Sequence, residues 1–135
     1  MSDASDADDI ESIKERKKAE LREQRDGSGG HDEPIHVEDA AEFQDLIGGE
    51  DLVLVDFYAD WCGPCKMLAP VVETIAAETT ATVAKVDVDQ HQNLAREYQV
   101  QGVPTVYLFA DGESVERLVG MQDEGTLRDL IEQYA

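Results

Sequence analysis

The sequence predicts an α/β fold, a five-stranded mixed sheet flanked by four helices, and three observations predict it. From Pro34 onward apolar runs alternate with amphipathic segments. The run "LVLVDFYA", residues 52–59, is nearly continuous in apolar residues, as a strand covered on both faces is. Asp111-Gly112 lies between two strand-like runs and is a strong hairpin signal.

Taken in order, "PIHV" is a short strand, and "DAAEFQDLIG" places Ala41, Phe43, Leu46 and Ile47 on one helical stripe. After the strand "LVLVDFYA" a helix runs from Cys62 to about Glu78. The strand "TVAKVDV", the helix "HQNLAREY" and the strand "TVYLFA" follow; the last turns at Asp111-Gly112 into "ESVERLVG". "DEGTLRDLIEQY" closes the chain as an amphipathic helix. This βαβαβαββα order predicts a sheet with helices on both faces, parallel at first and ending in an antiparallel hairpin.

Composition shifts at "GSGGHDEP", Gly27 to Pro34, which reads as a flexible linker. It divides a charged extension, residues 1–33, from one domain, residues 34–135. Residues 1–7 are small and acidic and are expected to be disordered. Residues 8–25 are rich in helix formers, with Asp8 and Glu11 spaced as a capping box and Gly27 as a stop. Ile10, Ile13 and Leu21 are too few to bury a face, so the expectation is a marginal, solvated helix. Within residues 12–25, Lys14, Arg16, Lys17, Lys18, Arg22 and Arg25 outnumber Glu15, Glu20 and Glu23. Pairs such as Glu15 with Lys18 would lace such a helix; a docking arm is the other use of that charge.

The chain carries 31 acidic against 11 basic residues, a net charge of −20. Such a surface argues against nucleic acid or an anionic membrane as partner. The acids are spread between apolar runs along the whole chain, as on a salt-adapted protein of a halophile. The first thirty residues lack the apolar core of a signal peptide, and no apolar stretch is long enough to span a membrane. The expected compartment is the cytoplasm, where a lone CxxC points to redox or metal chemistry before a disulfide framework.

Both cysteines lie in "WCGPC", residues 61–65. A zinc site normally takes four ligands; one CxxC supplies two, and His31, His36 and His91 show no paired spacing to complete it. No metal and no cofactor is expected. As a structural staple so short a loop stabilises by only ~2 kcal/mol. Its strength is exchange chemistry: one thiolate attacks a partner's disulfide, and the tethered second thiol then releases the partner in an intramolecular step. The pair sits where a strand gives way to a helix, so Cys62 should fall in the first turn, where unpaired N–H groups and the helix dipole favour its thiolate. Cys62 is then the exposed nucleophile and Cys65, one turn inside, the resolving thiol.

"VDFYADWCGPCKMLAP" closely resembles the active-site segment of the thioredoxin family, and "GVPT", Gly102 to Thr105, resembles its cis-proline loop. The resemblance runs from about Pro34 to Ala135 and implies a thioredoxin-like fold and a protein disulfide reductase with a redox-active Cys62–Cys65 disulfide. It also implies thioredoxin reductase as electron donor, disulfide-containing proteins as targets and a monomeric state. By it Asp56 matches the buried carboxylate that handles the resolving thiol's proton, and Pro104 the cis-proline beside the disulfide. Val103 matches the residue whose backbone pairs with a bound substrate chain; Trp61, Gly63, Pro64 and Gly120 match the apolar docking rim. Gly-Pro between the cysteines resembles the reducing members.

Two of these residues can be weighed on their own chemistry. A bare carboxylate in a two-sided apolar strand costs several kcal/mol or stays protonated, so Asp56 needs a reason: an ion pair with Lys85, proton transfer for Cys65, or both. Residues 34–135 carry 20 acids but only Lys66, Lys85, Arg96, Arg117 and Arg128 as bases. Both lysines fall at the chemistry, Lys66 directly after Cys65 and Lys85 as the expected partner of Asp56. Trp61, in a turn next to Cys62, is expected to be partly exposed. Tyr58 departs from the family, many members having a second tryptophan there, and this bears on the rim's shape.

Two other functions fit the fold. One is a non-catalytic adaptor that binds through the extension; retention of the complete site argues against it. The other is a disulfide oxidant or isomerase, which a reduction potential near −120 to −180 mV would mark; about −270 mV, thioredoxin's own value, marks a reductant.

Overall fold

The computed structural model describes residues 32–135, and the expectations for residues 1–31 lie outside them. Nine elements follow in the predicted order: β1 (Ile35–His36), α1 (Ala40–Gly49), β2 (Leu52–Tyr58), α2 (Gly63–Glu78), β3 (Thr82–Asp87), α3 (Gln92–Glu97), β4 (Thr105–Ala110), β5 (Glu113–Val119) and α4 (Glu124–Tyr134). The strands form one sheet in the order β1-β3-β2-β4-β5. β1 and β2 run parallel to β3, while β4 is antiparallel to both β2 and β5. None of the helices among the described residues is long and apolar enough to cross a membrane.

Local chemistry starts and stops these elements. The Asp39 and Asp123 carboxylates accept the N–H groups of Glu42 and Thr126 and cap α1 and α4. Asp111 and Gly112 both take positive φ, 53° and 86°, the turn that matches the twist of the β4–β5 hairpin.

β2 is central and buried on both sides, and its alternation sorts the core into two layers. Val53, Val55 and Phe57 face α1 and α3, where they meet Phe43, Ile47, Leu94, Tyr107 and Phe109. Leu52 and Leu54 face α2 and α4 with Leu68, Val72, Ile75, Leu127 and Ile131. By the same period of two, Asp56 and Tyr58 belong to the α2 side. On α1 the stripe is narrower than predicted: Phe43 and Ile47 are buried and Leu46 half-buried, but Ala41 is exposed. Ala41 lies too far round the helix from the Phe43–Ile47 line to reach the sheet. α2 runs on through Pro70, held by the burial of Leu68, Val72, Ile75 and Ala76.

Candidate redox site

The site forms where β2 ends and α2 begins. Trp61 stands out from the turn with 70% of its surface exposed, and its indole Nε1–H donates to Asp89 Oδ2 at 2.9 Å. Cys62 is the N-cap of α2 in extended conformation, Gly63 and Pro64 form its first two positions, and Cys65 is the third. Cys62 and Cys65 are joined in a disulfide, their Cα atoms 5.3 Å apart. The Cys65 N–H points at Cys62 Sγ, 3.2 Å away, so an otherwise unpaired helix N–H is aimed at the sulfur expected to carry charge.

The expected difference in exposure between the two cysteines is not found. In this disulfide form each is only 4% exposed, packed with Ala59 and against Tyr58, Val88 and Val103. The bond ties both sulfurs into the same apolar seat. What distinguishes them is contact: Cys62 Sγ is the capping atom and lies 3.6 Å from the Val103 carbonyl oxygen.

The Val103–Pro104 peptide bond is cis. The Thr105 hydroxyl donates to the Gly102 carbonyl at 2.6 Å and braces this loop. The Gly120 N–H donates to the Pro104 carbonyl at 2.8 Å with Gly120 at φ 94°, a conformation that favours glycine. The loop is thereby tied to the end of β5, which brings Gly120 to it. Val119 and Met121 beside Gly120, and Met67 on α2, are exposed apolar residues that the sequence reading did not single out. Gly63, Pro64 and Lys66 are also exposed.

Asp56 is fully buried, and neither carboxyl oxygen has a hydrogen-bond partner among the described residues. Burial pushes its pKa up from 3.8 to about 6, with the positive charge of Lys85 pulling the other way. Asp56 and Lys85 are register partners on β2 and β3 and share a face. The expected direct ion pair is nevertheless not formed. Lys85 is half-buried, and its Nζ sits 4.6 Å from the centroid of the Tyr58 ring. An ammonium on a ring face can keep part of its hydration, whereas contact with the fully buried carboxylate would require it to be buried as well. Tyr58 is therefore not only a matter of rim shape: it holds the lysine and packs on the cysteines. Asp89 is the other residue missed. An exposed indole in an acid-rich loop region tends to find a carboxylate, but nothing in the sequence said which one.

Comparison with known proteins agrees with this geometry. Residues 34–133 match the family model named Thioredoxin. A thioredoxin of Chlamydia trachomatis is 46% identical over 101 residues, 74% of this chain and 98% of that protein. A bifunctional thioredoxin reductase/thioredoxin of Mycobacterium leprae is 52% identical over 99 residues, 71% of this chain but 22% of that longer protein. Among solved structures, a mutant thioredoxin from Halobacterium salinarum is 61% identical with a TM-score of 0.75, covering 76% of this chain and 91% of that one. Its halophilic source supports the salt-adapted reading of the acid-rich surface.

Proposed function

Because the chain belongs to the thioredoxin family of thiol–disulfide oxidoreductases, we propose that it works as a monomeric dithiol reductant of protein disulfides in the cytoplasm. The working domain is residues 34–135, with residues 1–33 as a charged extension. In its reduced state the Cys62 thiolate attacks one sulfur of a target disulfide, forming a mixed disulfide and releasing the first target thiolate. Cys65 then gives its proton to the Asp56 carboxylate and attacks Cys62 Sγ, expelling the second target thiolate. The target gains two electrons, and its two thiolates are protonated from solvent, to which Asp56 returns the proton it took; the protein is left with the Cys62–Cys65 disulfide. Two electrons from a thioredoxin reductase restore the dithiol, a donor suggested by the reductase joined to a thioredoxin in the M. leprae protein.

The observation that carries this reading is a disulfide at the start of a helix that packs on the sheet face holding a buried carboxyl, whose pKa burial raises to about 6. Asp56 shares the sheet face on which α2 packs, and at pH 7 and above it is an empty proton acceptor. Trp61, Gly63, Pro64, Val103 and Gly120 serve as the rim on which a target chain docks, the Val103 backbone pairing with it and Pro104 lying beside the exchanging sulfurs. Lys66 supplies positive charge at the mouth of the site. The adaptor and oxidant readings have no observation in their favour. Insulin reduction, with dithiothreitol as donor and at low and molar salt, tests the proposal. The intact protein should accelerate it and Cys62→Ser should not; inactivity of the intact protein in both salts would overturn the reading.

A further inference from the structure

We propose that Tyr58 is a positioning residue of the redox site: the face of its ring holds the Lys85 ammonium beside the buried Asp56 carboxyl, so that the cation is in place whether or not that carboxyl carries charge.

Three placements support this. Tyr58 follows Asp56 by two residues on β2, on the same face, with Lys85 across from Asp56 on β3. The ammonium lies 4.6 Å from the ring centroid, inside the ~6 Å range of cation–π attraction. Tyr58 also packs against the cluster formed by Ala59, Cys62 and Cys65, so lysine, tyrosine and disulfide cluster form one contiguous arrangement.

A ring is needed because Asp56 alone cannot keep the lysine. A carboxyl whose pKa burial raises to about 6 is uncharged below that pH and whenever it holds the transferred proton, and then exerts no pull. Lys85 is only half-buried, and without a partner its flexible head would swing into water. The quadrupole of the ring does not change over that pH range, and Tyr58's own ionisation is pushed up further by burial and by Asp87, Asp60 and Asp56. The charged groups facing Asp56 and Tyr58 can be named element by element. β3 brings Lys85 and Asp87; the loop before α2 brings Asp60; α2 brings the two cysteines; β4 places the uncharged Val106 opposite Asp56. Asp87 is the competing anion for Lys85, but its Oδ1 already accepts the N–H groups of Asp89 and Gln90.

The consequence for the reaction rests on the dithiol mechanism above: the held cation lowers the pH at which Asp56 is free to take the Cys65 proton. The test does not rest on it, since the Asp56 carboxyl can be titrated by carbon-13 NMR in the oxidised protein with no target present. Tyr58→Leu should raise the midpoint by about one pH unit, the effect of losing a nearby opposite charge. Tyr58→Phe keeps the ring face and should leave it in place. Lys85→Met should raise it at least as far as Tyr58→Leu does, and adding Tyr58→Leu to Lys85→Met should change nothing more. Tyr58→Met replaces the leucine variant should that one not fold. An unmoved or lowered midpoint in Tyr58→Leu overturns the proposal. So does a shift that persists in full without Lys85, which would mean that the ring acts only by excluding water. Inactivity toward insulin with these shifts intact would overturn the mechanism and leave the positioning role standing.

Discussion

On the α1/α3 side of β2, Val53, Val55 and Phe57 enter an aromatic layer in which Phe43 and Phe109 meet edge to face at 6.0 Å and Phe57 and Tyr107 at 5.8 Å. On the α2/α4 side the same strand presents Leu52 and Leu54 to an aliphatic layer, then Asp56 with no hydrogen bond among the described residues, then Tyr58 beneath a lysine. One strand thus supplies apolar packing to one layer and a buried polar group to the other. The difference teaches where stability and chemistry are kept. The aromatic layer holds no buried carboxyl without a partner among the described residues, whereas the end of the other layer holds one whose burial costs stability and raises its pKa.

Substitutions can break this contrast from either side. The largest effect is expected at the sulfur: Cys62→Ser should lower the insulin reduction rate at least a thousandfold, the loss of the nucleophile itself. Cys65→Ser should instead accumulate target proteins covalently on Cys62, visible as adducts that reductant releases on non-reducing gels. On the aromatic side, Phe57→Ala should destabilise by about 3–5 kcal/mol in urea unfolding, the cost of a large core truncation. Its reduction rate per folded molecule should stay within about twofold; a collapse of that rate would mean that the two layers are not separable.

Asp56→Asn should sharpen the contrast with an opposite sign. Folding raises this carboxyl from 3.8 to about 6, so the native state holds the proton more tightly than the unfolded chain. Below 3.8 both states are protonated and there is no penalty; as pH rises through 3.8 to 6 native stability falls, and above 6 the loss is complete at about 3 kcal/mol. The asparagine variant should therefore be more stable than the parent by up to that amount at pH 8, and equal to it near pH 3.5, by urea unfolding at fixed salt. At pH 7 it should also reduce insulin about tenfold more slowly, having lost the proton acceptor while water still serves as a poorer one. Equal stability at both pH values would show the carboxyl to be satisfied in solution. The smallest effect belongs to the far side again: Asp39→Ala removes the α1 cap and should cost about 1 kcal/mol with the redox chemistry unchanged.

Much of the fold was legible because its signals are local. The apolar run of β2, the Asp111-Gly112 turn and the capping carboxylates act within a few residues, and the elements fall within about two residues of the predicted bounds. The site was legible for a related reason, since both sulfurs and their helix start lie within "WCGPC". What was misread in each case depends on a contact between distant segments. Lys85 lies across from Asp56 and acts on it by charge as expected, yet its ammonium rests on Tyr58 in place of a direct ion pair; Cys62 was expected to be exposed, yet Val103 and Val88 help to bury it. Asp89 as the partner of Trp61 could not be chosen among so many acids.

By itself, then, the sequence determined the order of elements, the redox pair and the lone acid in a buried strand, because period, turn chemistry and spacing are properties of neighbouring residues. The sheet order β1-β3-β2-β4-β5, the approach of the Val103–Pro104 loop to Cys62 and the partner of Lys85 were decided only by tertiary structure. They depend on which surfaces meet when the two layers close on the sheet, and the Lys85 ammonium reaches the Tyr58 ring only once β3 is paired with β2.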